Sequence, residues 1–203
     1  MEKMSLLPKF LLLAYVVLFI ICAVNPYDRA TWWAENIPIF TIVVVLAILY
    51  FRGIRFSNLA YLLMSFLLFW HTVGGHYTFE RVPFDWFNNF FGFERNMYDR
   101  IGHFSVGFYA FAILELIDKY GSINRRWLAY LFPLFAIGFV AMSYELIEWM
   151  FAVQYGGNAG ANFLGSQGDV WDAQKDMALD TLGAIVSLIL YFFLRERKIP
   201  KIL

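Results

Sequence analysis

The chain has 203 residues, of which 61% are hydrophobic and only 16% are charged. Soluble domains carry about 25% charged residues, so this shortfall indicates a lipid environment and excludes an ordinary soluble domain. The net charge is zero, which gives no sign of a nucleic-acid partner.

Six hydrophobic segments follow one another along the chain, each close to the ~20 residues that cross ~30 Å of hydrocarbon. They are Pro8–Val24, Trp32–Phe51, Asn58–Tyr77, Asp99–Tyr120, Trp127–Gln154 and Trp171–Leu194. No signal-peptide cleavage pattern follows the first segment, so we expect it to remain as a span. No internal repeat is evident. The sequence predicts an all-α polytopic transmembrane bundle that forms a single domain over residues 1–203.

The basic residues are distributed unequally between the two sides of the predicted bundle. One side holds five of the 16, namely Arg29, Arg81, Arg95, Arg100 and Lys175. The other eleven lie on the side of the N-terminus. Because basic residues are enriched on the cytoplasmic side of membrane proteins, we expect both termini in the cytoplasm.

The third predicted outer loop, residues 79–98, is too aromatic for a solvated loop and too charged to span the membrane. Amphipathic rings settle in the headgroup region, which makes an interfacial aromatic belt the simplest interpretation. A lid over a site, or a platform for a lipid headgroup, remains open.

Ionisable residues cluster at the predicted outer ends of the last four spans. Such residues are costly inside a membrane and usually mark function. The cluster comprises His71, His76, Asp99, His103, Glu145, Glu148, Asp169, Asp172, Asp176 and Asp180.

Helical spacing places three of these acids in one stripe. Asp172, Asp176 and Asp180 recur four residues apart, so they share a helix face. Gly183 continues the stripe and would allow a neighbouring helix to approach closely. Because like charges at this spacing repel, the stripe requires a cation, protonation or a water-filled cavity.

Structural roles are the alternative for several of these residues. Asp99 precedes an apolar segment and is suited to cap a helix, as is Asp169 or Asp172 before the last span. His71 and His76 flank a Thr-Val-Gly-Gly stretch, and either is compatible with an ordinary interfacial histidine.

Carboxylates with imidazole suit a divalent cation, and the sequence does not distinguish Mg²⁺, Mn²⁺ and Zn²⁺. Protonation of the carboxylates would also remove the repulsion between them. No nucleotide or other organic cofactor fingerprint is present. The predicted metal ligands are His103, Glu145, Glu148, Asp172, Asp176 and Asp180. We expect His103, Asp176 and Asp180 to carry any catalysis, with Arg100 and Gln167 as further candidates.

Three segments carry a resemblance to a known family. DRIGHF (99–104), YELIEW (144–149) and GSQGDVWDAQKDMALDTLGA (165–184) resemble the YjdF family of bacterial inner-membrane proteins. The resemblance covers most of the chain. It implies a multi-pass protein of the bacterial inner membrane and no particular activity.

A more distant similarity is to the VanZ-like proteins. Asp99 and His103 match their Asp-Lys-x-x-His-Phe element, with Arg100 in place of lysine. Glu145 matches an acidic residue one helix later. Asp176 and Gly183 match the last element, in which Asp180 replaces an asparagine. By analogy, the resemblance implies a lipid-linked or cell-envelope substrate.

These observations favour a membrane-embedded site at the outer leaflet that binds or acts on a lipid-linked substrate. An enzyme of this kind would be a metal-dependent hydrolase or transferase, with membrane lipids as its surroundings. A proton-coupled carrier is the alternative, since buried acids also relay protons. A structural partner of an envelope complex is a third hypothesis.

Overall fold

The computed structural model describes residues 6–157, 160 and 164–195, and these residues form α-helices and no strand. In chain order the helices are α1 (Leu7–Ala23), α2 (Arg29–Phe51), α3 (Asn58–Tyr77), α4 (Asp85–Phe91), α5 (Tyr98–Val106), α6 (Tyr109–Tyr120), α7 (Arg126–Tyr155) and α8 (Asp172–Arg195).

Within the described residues, five helical segments are long and apolar enough to cross a membrane: α2, α3, α5 together with α6, α7, and α8. The first predicted span, α1, is an apolar helix of 17 residues, or about 26 Å of helix at 1.5 Å per residue. The predicted all-α membrane bundle is therefore confirmed.

The fourth predicted span is interrupted where the sequence predicted one continuous helix. α5 ends at Val106 and α6 begins at Tyr109. Between them the backbone forms i to i+3 hydrogen bonds, including Phe108 N–H to Ser105 C=O at 3.1 Å. This tighter 3₁₀-like turn retains the direction of the span. It occurs at Gly107, which lies against the backbone of α8.

Side-chain caps begin two of the spans. The Asp28 carboxylate accepts the Thr31 backbone N–H at 2.7 Å before α2, and the Ser57 hydroxyl accepts the Ala60 N–H at 3.2 Å before α3. The hydrogen bond from Thr31 lowers the pKa of Asp28. Each cap satisfies a backbone donor that the first turn of a helix leaves without a partner.

α3 is the central helix of the bundle. It packs against α1, α2, α5 and α6, while α8 packs against α5, α6 and α7. The largest apolar core joins α3, α6, α7 and α8, and includes Met64, Phe111, Leu114, Ile137 and Leu188. A second core joins α1, α2 and α3 through Tyr15, Ile39, Leu67 and Leu68.

The aromatic loop folds into α4 and a compact cluster against α3 and α5. The rings of Trp70 and Tyr98 stack 4.1 Å apart, and each side chain donates a hydrogen bond to the backbone carbonyl of the other residue. Trp86 and Phe90 of α4 remain 69% and 80% exposed. This combination of packed and exposed rings suits the membrane interface that the sequence predicted.

The end of the bundle opposite this loop has its own polar contacts. Glu115 accepts the Ser57 backbone N–H and pairs with Arg195 at 3.2 Å. Asp118 accepts a hydrogen bond from the Tyr191 hydroxyl at 2.7 Å. Which end faces the cytoplasm stays a prediction. Four basic residues that support it, Lys3, Arg197, Lys198 and Lys201, lie outside the described residues.

Candidate functional site

The acidic stripe of α8 faces α5, at the end of the bundle that carries the aromatic loop. Asp172, Asp176 and Asp180 are all buried, the last with 1% of its surface exposed. The two helices lie unusually close because Gly107 and Gly183 face each other. A Cβ added at Gly183 would overlap the carbonyl oxygen of Phe104. This confirms the close approach that Gly183 predicted.

Two arginines neutralise the outer half of the stripe. Arg100 Nη2 lies 2.5 Å from Asp172 Oδ1 and 3.2 Å from Asp169 Oδ2, and Arg100 Nη1 pairs with Asp176. Arg95 Nη1 lies 2.6 Å from the same Asp172 oxygen. The cation that the stripe was expected to require is therefore partly supplied by the protein. Arg100 was a predicted site residue, whereas Arg95 was missed because it lies in the aromatic loop.

Gln167 and Asp169 hold the segment before α8 against the start of α5. The Gln167 side-chain amide accepts the Asn96 backbone N–H at 2.8 Å and donates to the Asn96 carbonyl at 3.1 Å. Asp169 accepts the Lys175 ammonium at 2.6 Å, and that hydrogen bond lowers the pKa of Asp169. These hydrogen bonds give both Gln167 and Asp169 structural roles.

The capping role weighed for Asp99 is wrong, and of the two residues weighed before the last span, Asp169 and not Asp172 accepts a backbone N–H. Met97 occupies the N-cap position of α5, and Asp99 lies inside the first turn without a capping hydrogen bond. Asp172 is the first residue of α8, and its carboxylate binds arginines. Asp169 does accept the Trp171 backbone N–H at 3.1 Å, just before α8 begins. Tertiary ion pairs have replaced the local hydrogen bonds that spacing suggested.

His103 is the meeting point of the inner part of the site. Its Nε2 atom lies 3.6 Å from Asp99 Oδ1 and 3.8 Å from Asp176 Oδ1. Its Nδ1 atom lies 3.4 Å from Asp180. One ligand atom from each of Asp99, His103 and Asp176 falls within 4.8 Å of the others. The structure thus brings together residues that the sequence placed on separate helices.

The two glutamates of α7 lie beside this cluster and form no ion pair with the described residues. Glu148 is 9% exposed and lines a cavity that also contacts Asp99, His103 and Asp180. Glu145 Oε1 is buried and has no hydrogen-bond partner in the part of the chain that the structure describes.

A second polar group lies across the same cavity, and the sequence reasoning found only one of its members. Glu35 of α2 is 2% exposed. Its Oε2 atom lies 3.0 Å from His71 Nε2 and accepts the Tyr144 hydroxyl at 2.7 Å. Glu35 and Tyr144 were missed. The available signal was an ionisable residue, Glu35, within the predicted second span.

His76 lies apart from both groups. Its Nδ1 atom contacts the carbonyl oxygen of Cys22 at 2.8 Å, which links the end of α3 to the end of α1. The structure therefore gives His76 a structural role, the alternative that was weighed for it.

The cavity between the two polar groups has a volume of about 130 Å³. That is room for several water molecules or one small polar group. The ring of Tyr144 lies 6.2 Å from that of His71 and 6.5 Å from that of His103, so it neighbours both histidines. Pro38, Ile39, Ile42 and Val140 form much of the remaining wall.

Comparison with known proteins agrees with this architecture. The family model described as "Predicted membrane protein (DUF2238)" matches residues 7–197. The inner membrane protein YjdF of Escherichia coli (strain K12) is 35% identical over 180 residues, which cover 87% of this chain and 85% of the relative. No solved structure matches the chain. The YjdF resemblance predicted from the sequence is confirmed, together with a multi-pass inner-membrane protein, and the chain belongs to the DUF2238 family of predicted membrane proteins.

Proposed function

We propose that the protein binds a divalent cation between Asp99, His103 and Asp176 and uses it to hold a polar ligand in the adjoining cavity. The observation that supports this is the convergence of two carboxylates on one ring nitrogen, at 3.6 and 3.8 Å from His103 Nε2. Two ligands of one ion at 2.0–2.2 Å lie about 3.0–3.5 Å apart. The three candidate ligand atoms lie within 4.8 Å of one another, so they would have to move closer together to bind the ion.

The proposal gives Asp180 a different role from the predicted ligand. A histidine that binds a metal through one nitrogen commonly donates its other N–H to a carboxylate, which fixes the tautomer and orients the ring. Asp180 lies on the Nδ1 side of His103, and the two candidate ligands lie on the Nε2 side. Asp180 is then a positioning residue, and Nε2 presents its lone pair to the ion.

The mixture of oxygen and nitrogen ligands is compatible with Mg²⁺, Mn²⁺ or Zn²⁺. The bound cation would polarise a phosphoryl oxygen or lower the pKa of a bound water. Glu148 lines the same cavity as His103 and would accept a proton from such a water. A lipid-linked envelope substrate rests on the VanZ-like resemblance, and the reaction class that suits it is hydrolysis or group transfer.

Metal binding by the purified protein tests the proposal directly. After the protein has been stripped with chelator, reloaded with Mn²⁺ or Zn²⁺ and dialysed in detergent, we expect about one ion per chain by elemental analysis. His103→Gln and Asp176→Asn each remove a ligand and should weaken affinity more than Asp180→Asn, which should weaken it by about ten- to a hundredfold.

Two substitutions outside the site serve as controls for this measurement. Asp85 is an exposed acid of α4, and His76 contacts a backbone carbonyl. Asp85→Asn and His76→Gln should leave metal affinity unchanged. If the site variants bind as the wild type does, or if the wild type retains no ion, the cation site is rejected.

A proton-coupled carrier is the second candidate, and the Glu35–His71 pair favours it. A carboxylate and an imidazole 3.0 Å apart can exchange a proton, and they face His103 across the cavity. In proteoliposomes with a pH gradient, the wild type should dissipate the gradient, and Glu35→Gln should slow this by about tenfold or more. His76→Gln should behave as the wild type. Dissipation no faster than in protein-free liposomes would contradict a proton path through this pair.

A further inference from the structure

A groove runs between α1 and α2 at the end of the bundle opposite the acidic site. Both helices pack along α3. Near the aromatic-loop end, the rings of Phe19 and Trp32 lie 5.2 Å apart and bridge α1 to α2. Toward the other end the two helices form the walls of a groove whose floor is α3.

The groove is almost wholly apolar and has a volume of about 270 Å³. Its three sides are lined by residues that include Leu12 of α1, Ala47 of α2 and Leu68 of α3. It extends over at least the α1 segment from Lys9 to Tyr15, or about 9 Å of helix length. In a bilayer, an apolar groove of this shape takes a hydrocarbon chain, because filling it restores dispersion contacts along all three sides.

Positive charge lies at the mouth of the groove. Lys9 lines it and is exposed. The Arg55 guanidinium lies 3.6 Å from the ring centroid of Tyr50, another lining residue. Neither cation forms an ion pair with the residues that the structure describes. The nearby acid Glu115 is already engaged with Arg195 and the Ser57 backbone.

We propose that this groove binds one acyl chain of an anionic phospholipid, whose phosphate is held by Lys9 and Arg55. An apolar floor with two cations at one end matches the shape and charge of such a lipid. The site lies at the end predicted to be cytoplasmic, where anionic lipids attract basic residues. It shares no residue with the proposed cation site, so either can fail without the other.

Native mass spectrometry in detergent can count the bound lipid. We expect the wild type to retain phosphatidylglycerol about tenfold more strongly than phosphatidylcholine of the same chains, since two basic residues act on the headgroup. The double variant Lys9→Gln with Arg55→Gln should lose this preference and bind both lipids equally. Ala47→Phe fills the groove and should abolish retention of both lipids.

Matched controls separate the groove from the rest of the surface. Val45→Phe adds the same ring to an exposed position of α2 that does not line the groove. Arg125→Gln removes an exposed charge at the same end of the bundle. Both should bind phosphatidylglycerol as the wild type does, and circular dichroism should show every variant folded. Equal retention of the two lipids by the wild type, or full retention by folded Ala47→Phe, would overturn the proposal.

Discussion

Replacing Arg100 by methionine should destabilise the protein by about 3–5 kcal/mol, the usual cost of removing one partner from a buried ion pair. Arg100 is 5% exposed, and its guanidinium contacts Asp169, Asp172 and Asp176. Methionine retains most of the side-chain volume, so the loss comes from carboxylates that remain buried beside fewer cations. Thermal unfolding in detergent, followed by tryptophan fluorescence, would measure the change.

The matched control is Arg125→Met, because Arg125 is exposed and forms no ion pair with the described residues. Its effect should lie within about 0.5 kcal/mol of zero. Adding Asp176→Asn to Arg100→Met should restore part of the lost stability, since it removes one of the unpaired anions. If Arg100→Met unfolds at the same temperature as the control, Arg100 does not stabilise the protein by neutralising the buried carboxylates of α8.

Gly183→Ala should have the second large effect and should also disturb the site. The added Cβ would overlap the Phe104 carbonyl oxygen and lie 3.3 Å from the Cα of Gly107. Because both obstacles are backbone, α5 and α8 must separate. We expect a loss of about 1–3 kcal/mol or more from this overpacking. Separation would also move His103 away from Asp176 and Asp180, so metal affinity should fall with stability.

Gly138→Ala is a control with the same substitution, but we expect it to leave the stability unchanged or raise it. Gly138 lies within α7, and a Cβ there would meet nothing within 4 Å. Alanine stabilises an open helix interior by about 1 kcal/mol relative to glycine. The same unfolding assay should therefore show Gly138→Ala unchanged or stabilised. A Gly183→Ala protein as stable as Gly138→Ala would show that the two helices have room to adjust.

The structure divides the acidic stripe into two layers with different partners. In the outer layer, Arg95 and Arg100 neutralise Asp172 and part of Asp176 and join α8 to the start of α5. In the inner layer, Asp180 faces only His103 among the described ion pairs. Asp176 lies where the two layers meet, since it pairs with Arg100 and is also a proposed ligand of the cation. The arginine variants test the outer layer, and metal binding tests the inner one.

Properties that depend on local order along the chain were determined by the sequence. Hydropathy over about 20 residues located the membrane helices, because crossing hydrocarbon requires a minimum apolar length. The spacing of Asp172, Asp176 and Asp180 placed them on one helix face, because the helical repeat is fixed. Gly183 continues this face and has no side chain, so it predicted a close contact with a neighbouring helix. The resemblance in residues 165–184 also identified the family.

What the tertiary structure decided was which side chains meet. Glu35 contacts Tyr144, 109 residues away, and Arg95 contacts Asp172, 77 residues away. Such pairs depend on which helices pack together and at what rotation, and no local pattern encodes this. For the same reason, the sequence suggested that Asp99 caps its helix, whereas packing places it beside His103. The acids were identified from the sequence because the free-energy cost of an ionisable side chain in a membrane is a property of each residue. The partners of these acids were determined only by the packing of the helices.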